Sequence, residues 1–206
     1  GFRRLAGGPE GVSAAGGPLF GVGMPGEAAP ARTSEAALRA DLCGALFGGP
    51  PGEGVVPIAA FSDYYCPYCR VLGRRLAAMA EGGGIAVTWH EWPLFGETSE
   101  AAAKAALAAK RQGAYLAFHD AVLGGGFVPT PAFLAEIAGR LGLDPARLAR
   151  DMESAGVAED IADARGLAAM FGFIGTPAMV VGRTAVTGAL DEGRLAALIE
   201  AERAAG

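Results

Sequence analysis

The chain has 206 residues, a formal net charge of −5 and 51% hydrophobic residues. That length suits one domain with a sizeable core, and the acidic balance, with no basic cluster, argues against a nucleic-acid surface. No run of about 18 apolar residues occurs, so the sequence holds no transmembrane helix and no stable membrane insertion is expected. Its three cysteines are too few for a disulfide-stapled scaffold.

Residues 1–31 come first. "GFRRLAGG" holds paired arginines, residues 11–26 carry no charge, and Ala29-Pro30-Ala31 gives an A-x-A pattern. Together these resemble a weakly hydrophobic export signal of the twin-arginine type, cleaved after Ala31. The plainer reading is a flexible Gly/Pro-rich leader, since Glu10 and Pro18 interrupt the apolar stretch. On either reading residues 1–31 stand outside the fold.

Residues 34–47, "SEAALRADLCGALF", read as a short helix with Ser34 as N-cap, stopped by Gly48-Gly49-Pro50-Pro51. Cys43 lies there beside Leu42 and Leu46 and reads as a small buried hydrophobe. Residues 55–61, "VVPIAAF", are a continuous apolar run, as a buried central strand requires. Pro57 sits near its start, where a missing N–H is tolerable. Helical spacing follows over 66–80, with Val71, Leu72, Leu76 and Met79 on one face and glycines at 82–84 ending it. Residues 85–92, "IAVTWHEW", alternate as a strand. Strand, helix and strand make a parallel, right-handed βαβ unit.

From 97 to 172 the pattern is four or five helices with no strand. "SEAAAKAALAAKRQGAYLAFHDAVL" is Ala-rich, and Thr130-Pro131 and Asp144-Pro145 are each a cap followed by a first-turn proline. Short strands at 178–181 and 184–187 flank a turn at Gly182-Arg183, and a helix covers 190–204. This hairpin and helix extend the earlier sheet. The expected organisation is a leader (1–31), an N-terminal helix (32–49), the first half of an α/β domain (50–95), a helical insertion (96–172) and the second half of the domain (173–206).

The stretch that carries chemistry is "FSDYYCPYCRVL", 61–72. Cys66 opens a helix, where unpaired N–H groups and the positive dipole end favour an anion. A thiol so placed is acidified, in such motifs to roughly 3.5–7.5. Cys69, one turn deeper, is shielded yet close enough to pair. Cys66 then reads as the attacking sulfur and Cys69 as the resolving one, with Pro67 in the first helical turn where it wastes no N–H. A zinc site would want four ligands, and only Cys43, His90 and His119 are spare. His119, on a helix among apolar residues, reads as a hydrogen-bonded packing side chain. A purely structural disulfide across one helical turn would remove little chain entropy. No metal or cofactor is expected.

A second constellation is "GFIGTPAMVVG", 172–182, in which Thr176-Pro177 precedes a short strand. If that peptide bond is cis, the Thr176 backbone lies open beside the sulfurs, where an extended substrate chain pairs as one more strand. Taken in order, "FSDYYCPYC", the Ala-rich helical stretch and "GTPAMVVG" resemble the DsbA family of thiol–disulfide oxidoreductases over about residues 50–206. The resemblance implies a thioredoxin-like fold: a central mixed β-sheet flanked by helices, with an inserted all-helical subdomain. It implies Cys66 as nucleophile, Cys69 as its partner, a cis Pro177, and substrate contact at Thr176 with Pro67 and Tyr68. It also implies unfolded or cysteine-containing protein substrates, a membrane or soluble redox partner, and export to an oxidising compartment such as the bacterial periplasm.

One departure stands out. Many thioredoxin-fold enzymes carry a buried acid six residues before the nucleophilic cysteine, and here that position is Ala60. Asp63 belongs to the turn above the strand. Glu91, ending the neighbouring strand, is a candidate proton relay for Cys69; the plain alternative is an exposed strand-end carboxylate. Direction stays open between a disulfide-donating oxidase, which the lack of a heptad stalk favours, and an isomerase or reductase, which Thr176 and Tyr68 resemble. A non-catalytic thioredoxin-fold chaperone and a glutathione-linked cytoplasmic enzyme are the other readings.

Overall fold

The computed structural model describes residues 1–5, 35–125 and 128–206. The leader over 6–31 and the Ser34 cap lie outside them. The paired arginines do not: β1 (Arg3–Arg4) joins the edge of the sheet, so the first residues belong to the fold where the sequence reading left them out. Arg3 donates to Glu202 and Thr184, and the Phe2 ring meets Phe171 edge-on at 5.2 Å.

The single helix expected over 34–47 is two, α1 (Glu35–Ala40) and α2 (Leu42–Phe47). Asp41 breaks them, because its carboxylate accepts from the Gly44 amide and caps α2. Leu38 and Leu46 turn inward, while Cys43 is exposed. The expectation of a buried Cys43 is therefore overturned. The buried leucines are spaced to share one face, and Cys43, next to Leu42, falls off it.

β2 (Val56–Ser62) runs through the middle of the sheet, and all of it is buried except the half-buried Pro57. α3 (Pro67–Glu81) follows, and β3 (Ile85–Glu91) pairs parallel with β2 from Val56 opposite Ile85 to Ser62 opposite Glu91. Val71 points outward rather than into the core; the inner face of α3 is Cys69, Leu72, Gly73 and Leu76.

Among the described residues five helices then fill the stretch up to Thr176: α4 (Glu97–Arg111), α5 (Tyr115–Gly124), α6 (Pro131–Arg140), α7 (Pro145–Met152) and α8 (Ala155–Met170). The Ala-rich stretch breaks at Gly113, whose φ of 77° suits glycine alone. Thr130, Asp144 and Ser154 each accept from an amide three residues on, as N-caps do. β4 (Ala178–Val181), β5 (Thr184–Thr187) and α9 (Glu192–Ala205) complete the chain.

The strand order is β1-β5-β4-β2-β3, with β4 antiparallel to both β2 and β5. Side-chain alternation along β2 divides the core. Ile58 and Ala60 pack with Leu72, Leu76, Leu195 and Ile199 on one face. Ala59 and Phe61 pack with Leu38, Leu46, Leu167 and Phe173 on the other. A third cluster, around Phe118, Val122 and Ile137, belongs to the helical stretch and reaches Tyr64. Both sheet faces are thus covered, and the open ends of the strands are where polar groups gather.

Candidate active site

β2 delivers its last residues to the amino end of α3. Asp63 shapes the turn between them. Its carboxylate accepts from the Tyr65 amide at 2.8 Å, the Leu94 amide at 2.6 Å and the Ser99 hydroxyl. Burial pushes the Asp63 carboxyl above the ordinary aspartate range, and these three donors pull against that rise. Asp63 therefore ties the turn to the loop after β3 and to α4.

Cys66 is the N-cap of α3, and Pro67 takes the first-turn position. The Cys69 amide donates to Cys66 Sγ at 3.3 Å, and Cys66 Sγ lies 3.4 Å from the Thr176 carbonyl oxygen. The Thr176–Pro177 bond is cis. The motif and the distant Thr-Pro thus meet at one sulfur. All three cysteines are thiols. Burial, followed by the hydrogen bond and charge of Cys66, pushes the Cys69 thiol well above the ordinary value, while the Asp63 backbone and Ser62 hydroxyl act the other way.

An attacking sulfur at residue 66, with only Cys69 shielded, would be open to solvent, but Cys66 is itself fully buried. The loop that ends in Thr176 lies against its sulfur. Tyr68 and Val71 of α3 and, at 75% exposure, Ile174 two residues before Thr176 are exposed apolar side chains. Ile174 escaped the sequence reading because nothing in "GFIGTP" separates an outward isoleucine from a core one.

Glu91 is buried at the end of β3, not an exposed strand-end carboxylate. Its Oε1 accepts from the Tyr64 and Tyr115 hydroxyls, each at 2.7 Å. Tyr64 Oη also lies 2.8 Å from His119 Nδ1, and since the Tyr64 proton goes to Glu91, His119 is the donor there. His119 is buried and hydrogen-bonded, as a packing histidine is, but its partners are polar and belong to the site. Burial, then the Glu91 charge, pushes both tyrosines well above the ordinary phenol range. Tyr64 and Tyr115 were not singled out in the sequence; aromatic residues at those positions read equally well as core.

His90 faces the opposite side of the sheet, stacked on Phe61 at 4.7 Å with Nε2 2.9 Å from the Leu46 carbonyl. His90, His119 and Cys43 therefore do not converge. A groove of about 650 Å³ is lined by Cys43, Phe47, Val55 and Arg183 among others, and no residue of the cysteine motif lines it.

Residues 57–200 match the family model described as DSBA-like thioredoxin domain. The chain belongs to that family. It is thus a thiol–disulfide oxidoreductase with a thioredoxin-like fold, acting on cysteine-containing substrates. Among solved structures, a thioredoxin-like oxidoreductase from Silicibacter pomeroyi DSS-3 is 37% identical, with 79% of this chain and 98% of that one covered at a TM-score of 0.73. A periplasmic thioredoxin-like protein from Salmonella enterica serovar Typhimurium is 26% identical, with 79% and 96% covered at 0.70. The thiol-disulfide exchange protein alpha-DsbA2 from Wolbachia pipientis shares the fold at 22% identity, with 81% and 94% covered at 0.70. No curated protein matches the chain. Among the described residues no helix is long and apolar enough to cross a membrane.

Proposed function

We propose that this DSBA-like protein donates its Cys66–Cys69 disulfide to folding protein chains in the periplasm. The observation that carries the reading is the seat of Cys66: an N-cap sulfur that takes the Cys69 amide and faces the Thr176 carbonyl. A substrate thiolate attacks Cys66 in the disulfide form and Cys69 leaves; a second substrate thiolate then attacks the mixed disulfide, and the Cys66 thiolate leaves toward the open N–H groups of α3. Pro67, Tyr68, Thr176 and Pro177 bind the substrate chain, with the exposed Tyr68, Val71 and Ile174 as its apolar rim. Glu91 serves as the proton relay. Because Cys66 is covered, the reading requires the Thr176 loop to yield as substrate arrives.

Two observations support the finer points. Leu38 and Leu46 of the N-terminal helices pack into the protein's own core, which favours an oxidase over an isomerase built on a shared stalk. The Salmonella relative is described as periplasmic, which supports the compartment. A membrane or soluble redox partner restores the disulfide. A glutathione titration of wild type and Cys66→Ser tests both function and direction. The oxidase reading expects a potential near about −120 mV in wild type and no couple in the variant; a value near about −270 mV marks a reductant. An unchanged chaperone-like activity in Cys66→Ser, with no exchange in wild type, favours the binding module instead.

A further inference from the structure

We propose that the outer edge of β5 is a docking site for an extended, arginine-bearing strand, that residues 2–5 fill it within the same chain, and that the docked strand is a strap on the loop that covers Cys66. The proposal rests on the oxidoreductase reading of Cys66 and adds its regulation.

The site is built without the strand. Glu202 of α9 is buried, with its side chain 3% exposed. One of its oxygens takes the Arg183 amide at 2.8 Å and the other takes the Thr184 hydroxyl at 2.6 Å. Oε1 has room for a second donor, and Arg3 supplies it at 2.6 Å, while Arg3 Nε donates to Thr184 Oγ1 at 2.9 Å. The backbone is matched as well. The Arg3 amide donates to the Arg183 carbonyl at 2.8 Å and the Leu5 amide to the Ala185 carbonyl at 3.0 Å. A sheet edge that supplies backbone partners and a buried carboxylate that selects arginine are the two parts of recognition by strand addition. Each oxygen of Glu202 keeps a partner when Arg3 leaves, so no buried acceptor is stranded and the occupant is exchangeable.

The other face of the strand grips the loop. Side chains alternate along β1, so Phe2 and Arg4 leave it opposite to Arg3. The Phe2 ring meets Phe171 edge-on at 5.2 Å, and the Arg4 guanidinium donates to the Phe171 carbonyl. Phe171 is the C-cap of α8, where the helix favours a cation. It opens the run 171–176 that ends with the Thr176 carbonyl on the Cys66 sulfur, and its ring stacks on Phe173 at 5.7 Å. Only Ile174 and Gly175 separate Phe173 from Thr176. On the far side of Pro177 the link runs through β5. β1 lies parallel to β5, and Gly188, just past the end of β5, donates its amide to the Pro177 carbonyl at 2.7 Å. The strand thus restrains the Thr176–Pro177 pair from both flanks. Cutting the chain after Ala31, where the A-x-A pattern stands, would free the strap to leave and strip the loop of its outer restraint.

The test is iodoacetamide labelling of the full chain. Peptide mapping follows Cys66 at the alkaline plateau of its rate, where a change in thiol acidity no longer counts. Arg3→Glu combined with Arg4→Glu sets carboxylates against Glu202 and the Phe171 carbonyl. In that variant the amides at positions 3 and 5 should lose protection from hydrogen exchange, and Cys66 should label about ten-fold faster. The pentapeptide Gly-Phe-Arg-Arg-Leu at millimolar concentration should restore the slow rate, and the same peptide with glutamate in place of both arginines should not. On wild type the peptide should change nothing, because a tethered strand fills the site at high effective concentration. Phe2→Ala combined with Arg4→Ala keeps the Glu202 contact, so Cys66 should label faster while the Arg3 amide stays protected. Amides that remain protected in the charge-reversed variant, a Cys66 rate unmoved in either variant, an acceleration that the peptide fails to reverse, or a wild type that the peptide slows overturns the proposal. Alkylation requires no disulfide exchange. A wild type that labels slowly yet exchanges no disulfide overturns the oxidoreductase reading instead, so the two failures are told apart.

Discussion

Two buried carboxylates, Glu202 under the β4–β5 turn and Glu91 at the end of β3, are held in opposite ways. Glu202 has both oxygens occupied: Oε1 accepts from Arg3 and Thr184, each at 2.6 Å, and Oε2 from the Arg183 amide at 2.8 Å. Burial alone would raise its carboxyl, but these donors outweigh burial and hold it below the ordinary glutamate range. Glu91 has its hydrogen bonds crowded onto one oxygen and leaves the other bare. A carboxylate satisfied on both sides is fixed as an anion and serves architecture. One with a bare oxygen keeps a basic site, which a proton-transfer role needs. Asp63, which adjoins the cysteine motif, also has both oxygens occupied and serves architecture, although burial outweighs its donors and raises its carboxyl.

That contrast is open to direct challenge. The largest effect belongs to Asp63→Ala, which strands two backbone amides and the Ser99 hydroxyl in the interior. It should cost about 3–5 kcal/mol in urea denaturation. A loss under about 1 kcal/mol would mean that Asp63 is not the anchor of the turn. Glu202→Gln should cost less, about 1–2 kcal/mol at neutral pH. Because the folded carboxyl titrates below the unfolded one, its stabilisation is full above the ordinary glutamate range and disappears as pH falls through the folded value. The gap between wild type and Glu202→Gln should therefore close on acidification. A gap that stays constant with pH would show that the anion contributes nothing at this end of the sheet.

Much of the fold could be read from local pattern. The apolar run of β2, the two short strands around Gly182-Arg183 and the proline-started helices at Thr130 and Asp144 each carry a local cause, and they fall where that cause predicts. The failures share a different origin. Val71 and Cys43 sit among apolar neighbours in sequence, yet helix phase turns both outward. Arg3 and Arg4 read as a targeting signal, and their seat depends on Glu202 and Phe171, far away in the chain. In the site, Cys66, Cys69, Thr176 and Pro177 stand out because motif spacing is local. Tyr64 and Tyr115 do not, because their meaning arises only when the turn and the insertion bring their hydroxyls to Glu91.

Trapping a substrate tests the central claim most directly. Cys69→Ala, incubated with an oxidised protein substrate, cannot resolve the mixed disulfide, so substrate should accumulate on the protein. Peptide mapping should find it on Cys66. Accumulation through the exposed Cys43, or no adduct while wild type exchanges disulfides normally, would contradict the account.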